Sequence, residues 1–336
     1  MPRKVLVSAA LAAASVLALA GCAGATPGSS GSSAAADGKV QVVASTNVYG
    51  DIAAAIGGDR VDVTSIISST AQDPHSYEAS AKDQLTISRA GLIIENGGGY
   101  DSFMDSLIDA TGTEAPVITA VEFSHDYPGA EAHSDDDHDH GDETDAATPT
   151  DDHDHEGHDH IEGFNEHVWY DPHTIAHVAE EIAHELGEID AAGAATYEQN
   201  YATFAAGIDD LEASLADIAA SHTGQKVFVT EPVPLYLTAA AGLDNATPPA
   251  FSEAVEEGQD VPPATLLEAL TILKSGDVST VIVNAQTGGA ETTQVTDAAK
   301  AADIPVLEFT ELVPEGETYL TWMAQNISDL AGTLTR

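Results

Sequence analysis

Imidazole and carboxylate are concentrated in one stretch of this chain. Residues 125–162 hold 8 His and 15 Asp or Glu in 38 positions, with no Lys or Arg. Runs such as DDDHDHGD and DDHDHEGHDH mix neutral imidazole with carboxylate, a donor set that suits Zn2+, Cu2+ or Ni2+. The stretch lacks apolar periodicity and its charges repel one another, so it is expected to be a disordered, solvent-exposed insertion. Its expected role is weak, multidentate metal collection through His133, His138, His140, His153, His155, His158 and His160; a purely solvating spacer would be acidic but would have no use for eight histidines. A second pattern is His173 and His177, four apart as in a zincin helix, but Thr174 stands where that motif places its Glu. This pair, His184 and His222 are read as surface residues, and Glu180, Glu181 and Glu185 as a solvated helix face. Cys22 is the only thiol, which excludes a disulfide framework and any Cys-based zinc finger.

The wider composition narrows the partner. In 336 residues there are 10 Lys+Arg against 56 Asp+Glu, a formal net charge of −46. Phosphate recognition needs a basic surface that releases counterions, so a nucleic-acid partner is excluded, whereas cations are attracted. The 14 His outnumber Lys and Arg together. With 43% hydrophobic and 20% charged residues, there is apolar material for one large or two medium cores.

At the N-terminus, Arg3 and Lys4 precede an apolar run over 5–20, too short to span a bilayer, which takes about 20 residues, and patterned as a secretory signal. Leu19, Ala20, Gly21 and Cys22 resemble a lipobox, in which the Cys is acylated. The alternative is a plain signal peptide with an incidental Cys. The expected order is a lipoprotein signal over 1–21 and an Ala/Gly/Ser-rich flexible tether over 22–38. The mature chain would then be anchored by lipid at Cys22 on the outer face of the cytoplasmic membrane.

The elements that must position any site alternate in type. Short β-branched runs at 40–45, 61–66, 92–95 and 117–119 are separated by helical patterns that include 52–56 and 81–88. A second series of strands follows at 227–230, 278–284 and 304–310. Between the two series lies a helix-forming stretch over 172–221, with a break expected within 187–193. The predicted fold is α/β: two lobes, each a parallel sheet flanked by helices, joined by one long rigid helix. The expected boundaries are 39–190 for the N-terminal lobe, 191–222 for the linking helix and 223–336 for the C-terminal lobe. Loops at the strand C-termini, facing an inter-lobe cleft, are the default ligand site.

Asp73-Pro74-His75, the stretch 96–108 (NGGGYDSFMDSLI), His167-Val168-Trp169-Tyr170-Asp171-Pro172, the strand and turn 227–236 (VFVTEPVPLY) and the helix opening at Tyr319-Leu320 occur in an order that resembles the metal-binding solute-binding lipoproteins of bacterial ABC importers, in their zinc and manganese branch. The His/Asp-rich insertion lies where zinc members carry one. The resemblance implies two α/β lobes bridged by a long helix. It also implies His75, His167 and Glu231 as metal ligands. The family's fourth position falls near Gly288, with no carboxylate, which leaves water, bidentate Glu231, Asn47 or Gln286 as alternatives.

Two imidazoles, one carboxylate and a water make a sufficient shell for Zn2+. The insertion and the absent fourth carboxylate favour zinc, while Glu231 favours manganese, which takes more oxygen donors. The implied function is therefore extracytoplasmic capture of Zn2+ as the transported ligand, by a monomer that delivers it to an ABC permease and its ATPase. Affinity is expected to fall as pH drops through the ordinary histidine range near ~6.5. A Mn2+ or Fe2+ carrier of the same family is the alternative. A zinc hydrolase is less favoured, because no general base is placed by motif beside the three ligands and no enzymatic activity is expected. A surface adhesin or metal buffer is the remaining reading.

Overall fold

The structure is a computed structural model and describes residues 38–128, 161 and 163–334. Cys22 and the seven collecting-loop histidines lie outside the described residues.

Among the described residues, eight strands form two four-stranded parallel sheets. The first contains β1 (Val40–Thr46), β2 (Val61–Ile67), β3 (Leu92–Glu95) and β4 (Val117–Thr119) in the order β2-β1-β3-β4. The second contains β5 (Lys226–Val229), β6 (Asp244–Asn245), β7 (Val278–Asn284) and β8 (Val306–Phe309) in the order β6-β5-β7-β8. Both sheets thus have the same strand order. The register pairs Val42 with Val63 and Leu92 in one sheet, and Ile282 with Val229 and Leu307 in the other. β1 and β3 are near-continuous apolar runs because helices cover both faces. Only β6 escapes the sequence pattern: Asp-Asn has no strand propensity, and this edge segment is fixed by two pairings to β5.

The helices are α1 (Asn47–Gly57), α2 (Ala81–Ile87), α3 (Phe103–Thr111), α4 (Pro172–Ile189), α5 (Ala194–His222), α6 (Leu235–Ala240), α7 (Pro249–Glu256), α8 (Pro263–Lys274), α9 (Ala290–Ala301) and α10 (Tyr319–Leu334). α4 starts where Asp171 accepts from the backbone N–H of His173 and Thr174, with Pro172 in the first turn. The break between α4 and α5 falls after Ile189. There Asp190 accepts from Arg60 Nε at 2.8 Å, Arg60 Nη2 at 2.6 Å and Tyr197 Oη at 2.9 Å. Gly193 closes that corner, since a Cβ there would sit 2.4 Å from Arg60 Nε.

α5 buries Tyr197, Phe204, Ile208, Leu211, Leu215 and Ile218, spaced by three, four or seven residues as a single helical stripe. That stripe belongs to one core that takes in Val42 and Leu92 from the first sheet and Val227 and Val229 from the second. The first sheet is sealed on its other face by Val43, Ile93, Phe103 and Met104, and the second by Phe228, Phe251, Leu273 and Val281.

Glu95, the last residue of β3, is buried, and its carboxyl is pushed up to about 8 by burial and then by Asp101 and Asp105. The folded chain therefore holds a proton that the unfolded chain releases near ~4.3. Between those values the folded state binds more protons, so unfolding free energy falls as pH rises toward 8 and is level above it. Glu95→Gln removes that loss and keeps an acceptor for the Thr119 hydroxyl. Thermal melts should coincide at pH 4, and at pH 9 the variant should be more stable by about 2–4 kcal/mol.

Candidate metal centre

The loops that carry the expected ligands leave the strand C-termini of both sheets, where a parallel sheet opens its crevice. His75 lies in the loop after β2, its backbone N–H bonded to Asp73 Oδ1 at 3.0 Å. His167 lies just before α4. Glu231 and Glu311 each stand two residues beyond a strand of the second sheet, β5 and β8. The donor atoms of His75, His167 and Glu311 all lie within 4.8 Å of one another.

The expected fourth position near Gly288 brings no carboxylate to these imidazoles, whereas Glu311 does. Glu311 stands one strand later in the chain than Gly288. Glu231 is outside that triad of donors but is joined to it through Asn284, whose Nδ2 donates to Glu231 Oε2 at 2.9 Å and to Glu311 Oε1 at 2.6 Å. Thr287 donates its hydroxyl to the other Glu231 oxygen. Asn47 and Gln286, considered above as ligands, hold the loop instead. Asn47 exchanges hydrogen bonds with the backbone of Val313, at 2.8 and 3.1 Å. Gln286 Oε1 accepts from the N–H of Glu311 and Leu312.

The orientation of His167 is set from behind. Asn165 Oδ1 lies 2.7 Å from Nδ1, and Asn165 Nδ2 donates to Pro232 O at 3.2 Å. An amide oxygen only accepts, so Nδ1 carries the proton and Nε2 presents its lone pair to the cleft. Since Pro232 follows Glu231, this one amide links the ligand loops of both sheets. Asn165→Ala is expected to lower metal affinity about 10–100-fold by freeing the ring, which isothermal titration would measure.

The motif residues around the site position it. Gly97, Gly98 and Gly99 all have positive φ, at 78°, 69° and 95°, a run that side chains resist. The turn they make is held by Asp101, which accepts from the N–H of Asn96 and Gly97. It delivers Tyr100, whose ring packs edge-on to His75 at 4.9 Å and whose hydroxyl donates to Glu311 Oε2 at 2.9 Å. Trp169 and Tyr170 brace the other side. Tyr170 Oη donates to Thr310 O at 2.7 Å, and Trp169 O accepts from Tyr319 Oη at 2.9 Å.

Two further carboxylates reach this centre. Glu166 and Glu256 place oxygens within 4.8 Å of a His75 ring nitrogen and of each other, and Glu256 Oε1 is 3.6 Å from His167 Nε2. Burial and mutual repulsion dominate the electrostatics of these carboxyls. Burial, then repulsion from Glu231, raises the Glu311 carboxyl to about 8. Burial raises Glu231 too, against the hydrogen bonds from Thr287 and Asn284. Burial, followed by Glu166, Glu231 and Glu311, takes Glu256 to about 10. A divalent ion among these groups would replace their protons.

The other sequence candidates stay at the surface. His173 and His184 are well exposed, and His173 Nδ1 is 3.8 Å from Glu212. Thr174 is buried and donates its hydroxyl to Asp171 at 2.6 Å, an N-terminal bond in α4. Sequence reasoning missed Glu311, Asn284, Asn165, Glu166 and Glu256. For Glu311 a signal existed, its place directly after the strand read at 304–310.

Two parallel α/β sheets, with strand-end loops that bring imidazoles and carboxylates together, define a two-lobed α/β protein. Residues 42–333 match the family model described as zinc-uptake complex component A, periplasmic, and the chain belongs to that family. It is 25% identical over 306 residues to the zinc-binding lipoprotein AdcA of Streptococcus pneumoniae, covering 89% of this chain and 56% of AdcA. The chain thus spans about half the length of that relative. It is 26% identical over 344 residues, 96% of each chain, to the manganese ABC transporter substrate-binding lipoprotein PsaA of Streptococcus mitis. It is 24% identical over 327 residues, 92% of this chain and 93% of the other, to the iron ABC transporter substrate-binding lipoprotein MtsA of Streptococcus pyogenes. The fold is similar to that of the periplasmic zinc-binding protein TroA of Treponema pallidum, with a TM-score of 0.67 at 18% identity over 89% of this chain and 100% of that one.

Proposed function

We propose that this chain is the extracytoplasmic substrate-binding component of an ABC metal importer, and that it captures a divalent transition-metal ion through His75, His167, Glu231 and Glu311. The observation that carries this reading is the convergence of two imidazoles and buried carboxylates from both sheets, together with the names of relatives that carry zinc, manganese or iron. Capture begins with the acidic surface, which raises local cation concentration. The ion then replaces protons held by the buried carboxyls and pulls the loops of the two sheets onto itself. A permease and ATPase are the proposed partners, Cys22 the lipid anchor, and the residues from 125 to 162 the weak collecting segment. The proposed boundaries remain 39–190, 191–222 and 223–336.

Zn2+ is the proposed cargo. The absence of a fourth carboxylate no longer supports it, because Glu311 supplies one. What supports it now is the general affinity order, in which a site of given N and O donors holds Zn2+ more tightly than Mn2+. The carboxylates Glu231 and Glu311 favour manganese as the second reading. Competition at equal free concentrations tests the choice: zinc should displace manganese from a single site, and retention of manganese would reverse the assignment. A hydrolytic role is less favoured because the buried carboxyls near the imidazoles are themselves metal donors, and four protein donors leave a tetrahedral ion no open position for water.

A further inference from the structure

α7 ends inside the metal centre, and nothing in its sequence pattern announces this. Its anchor is Phe251, fully buried and edge-on to Phe228 of β5 at 5.5 Å between ring centres, so the helix is fixed to the second sheet. Its last residue is Glu256. A carboxylate at a helix C-terminus opposes the helix dipole, and this one is mostly buried, with a side-chain exposure of 12%.

Three observations place its oxygens as metal donors. Glu256 Oε1 is 3.6 Å from Nε2 of His167, the nitrogen that Asn165 leaves with its lone pair toward the cleft. That distance is longer than a hydrogen bond. It is close to the separation of two donors on one ion, roughly 3.0–3.4 Å for bonds near 2.1 Å at right to tetrahedral angles. Secondly, Glu256 Oε1 is buried and accepts no hydrogen bond among the described residues, so its acceptor capacity is not used by the protein. Thirdly, Glu256 also stands, with Glu166, within 4.8 Å of a His75 ring nitrogen, in a group of donors distinct from that of His75, His167 and Glu311.

We propose that Glu256 is a further metal-contacting residue of this site, one that sets its selectivity by adding a carboxylate oxygen beyond His75, His167, Glu231 and Glu311. A shell of two nitrogens and three carboxylates offers more than the four donors that Zn2+ takes in a tetrahedral site. Mn2+ and Fe2+ accept the extra oxygen. Glu256 therefore narrows the preference for zinc. The inference rests on the function proposed above and adds to it the residue that tunes the ion.

The test uses the mature chain stripped by chelator and titrated with Mn2+ and Zn2+, as wild type, Glu256→Ala and Glu256→Gln. Glu256→Ala should lower Mn2+ affinity about tenfold or more and Zn2+ affinity less than about threefold, with Glu256→Gln between wild type and Ala for Mn2+. Cobalt substitution reads the shell directly. The wild type should show the weak visible bands of a five- or six-coordinate ion, and Glu256→Ala the stronger bands of a four-coordinate one. The metal-free melting temperature of Glu256→Ala should not fall, which a merely structural role would require. Equal changes for both ions, or unchanged affinities with an unchanged cobalt spectrum, would overturn the role of Glu256 and leave the importer reading intact. A wild type that binds neither ion would overturn that reading and this inference together.

Discussion

Changing His75 and His167 together to Ala should remove the tight site. A transition ion held by nitrogen and carboxylate donors in a preformed site is bound by roughly 10–16 kcal/mol, so each of four ligands is worth about 3 kcal/mol. Losing two then lowers affinity by roughly four orders of magnitude. Among the described residues no third imidazole is grouped with these two. The remaining donors are Glu231, Glu311, Glu166 and Glu256, which would hold an ion only as an oxygen cluster of the kind preferred by harder cations. Isothermal titration with Zn2+ reads the result. The fold should survive, since His75 is only half-buried and the α4 start depends on Asp171 and Pro172.

The second large effect concerns pH. Glu311 holds its proton to about 8 in the metal-free cleft, through burial and the neighbouring Glu231, yet must lose it to bind an ion. Below that pH each binding event expels this proton, so affinity should climb by up to tenfold per pH unit from this group alone and level off above 8. Glu311→Gln removes that term. The variant should bind at least 100-fold more weakly at pH 8, and its pH dependence should be shallower by about one proton. The amide also inverts one hydrogen bond, because Asn284 and Tyr100 both donate to the carboxylate. Titrations in buffers of different ionisation enthalpy count the expelled protons.

Much of this was legible in the sequence because it rests on periodicity and motif. β-branched runs marked seven of the eight strands, and the Ala/Glu/Leu-rich stretch marked α4 and α5. The motifs around His75 and His167 lie on loops that meet in the structure. What stayed hidden depends on three-dimensional convergence. In a chain with 56 carboxylates, Glu166 and Glu256 carry no distinguishing local pattern, and Asn165 and Asn284 are single amides whose value lies in what they bridge. Glu311 is different. It directly follows the strand read at 304–310, and the tendency of ligands to gather at strand C-termini singles it out.

The account stands most directly on where the ion sits. A crystal of the mature chain loaded with one equivalent of Zn2+, measured at the zinc edge, should give a single strong anomalous peak within roughly 2.0–2.2 Å of His167 Nε2, a ring nitrogen of His75 and oxygens of Glu231 and Glu311. A peak bonded to other residues, with those four side chains left as they stand around Asn284, would contradict it.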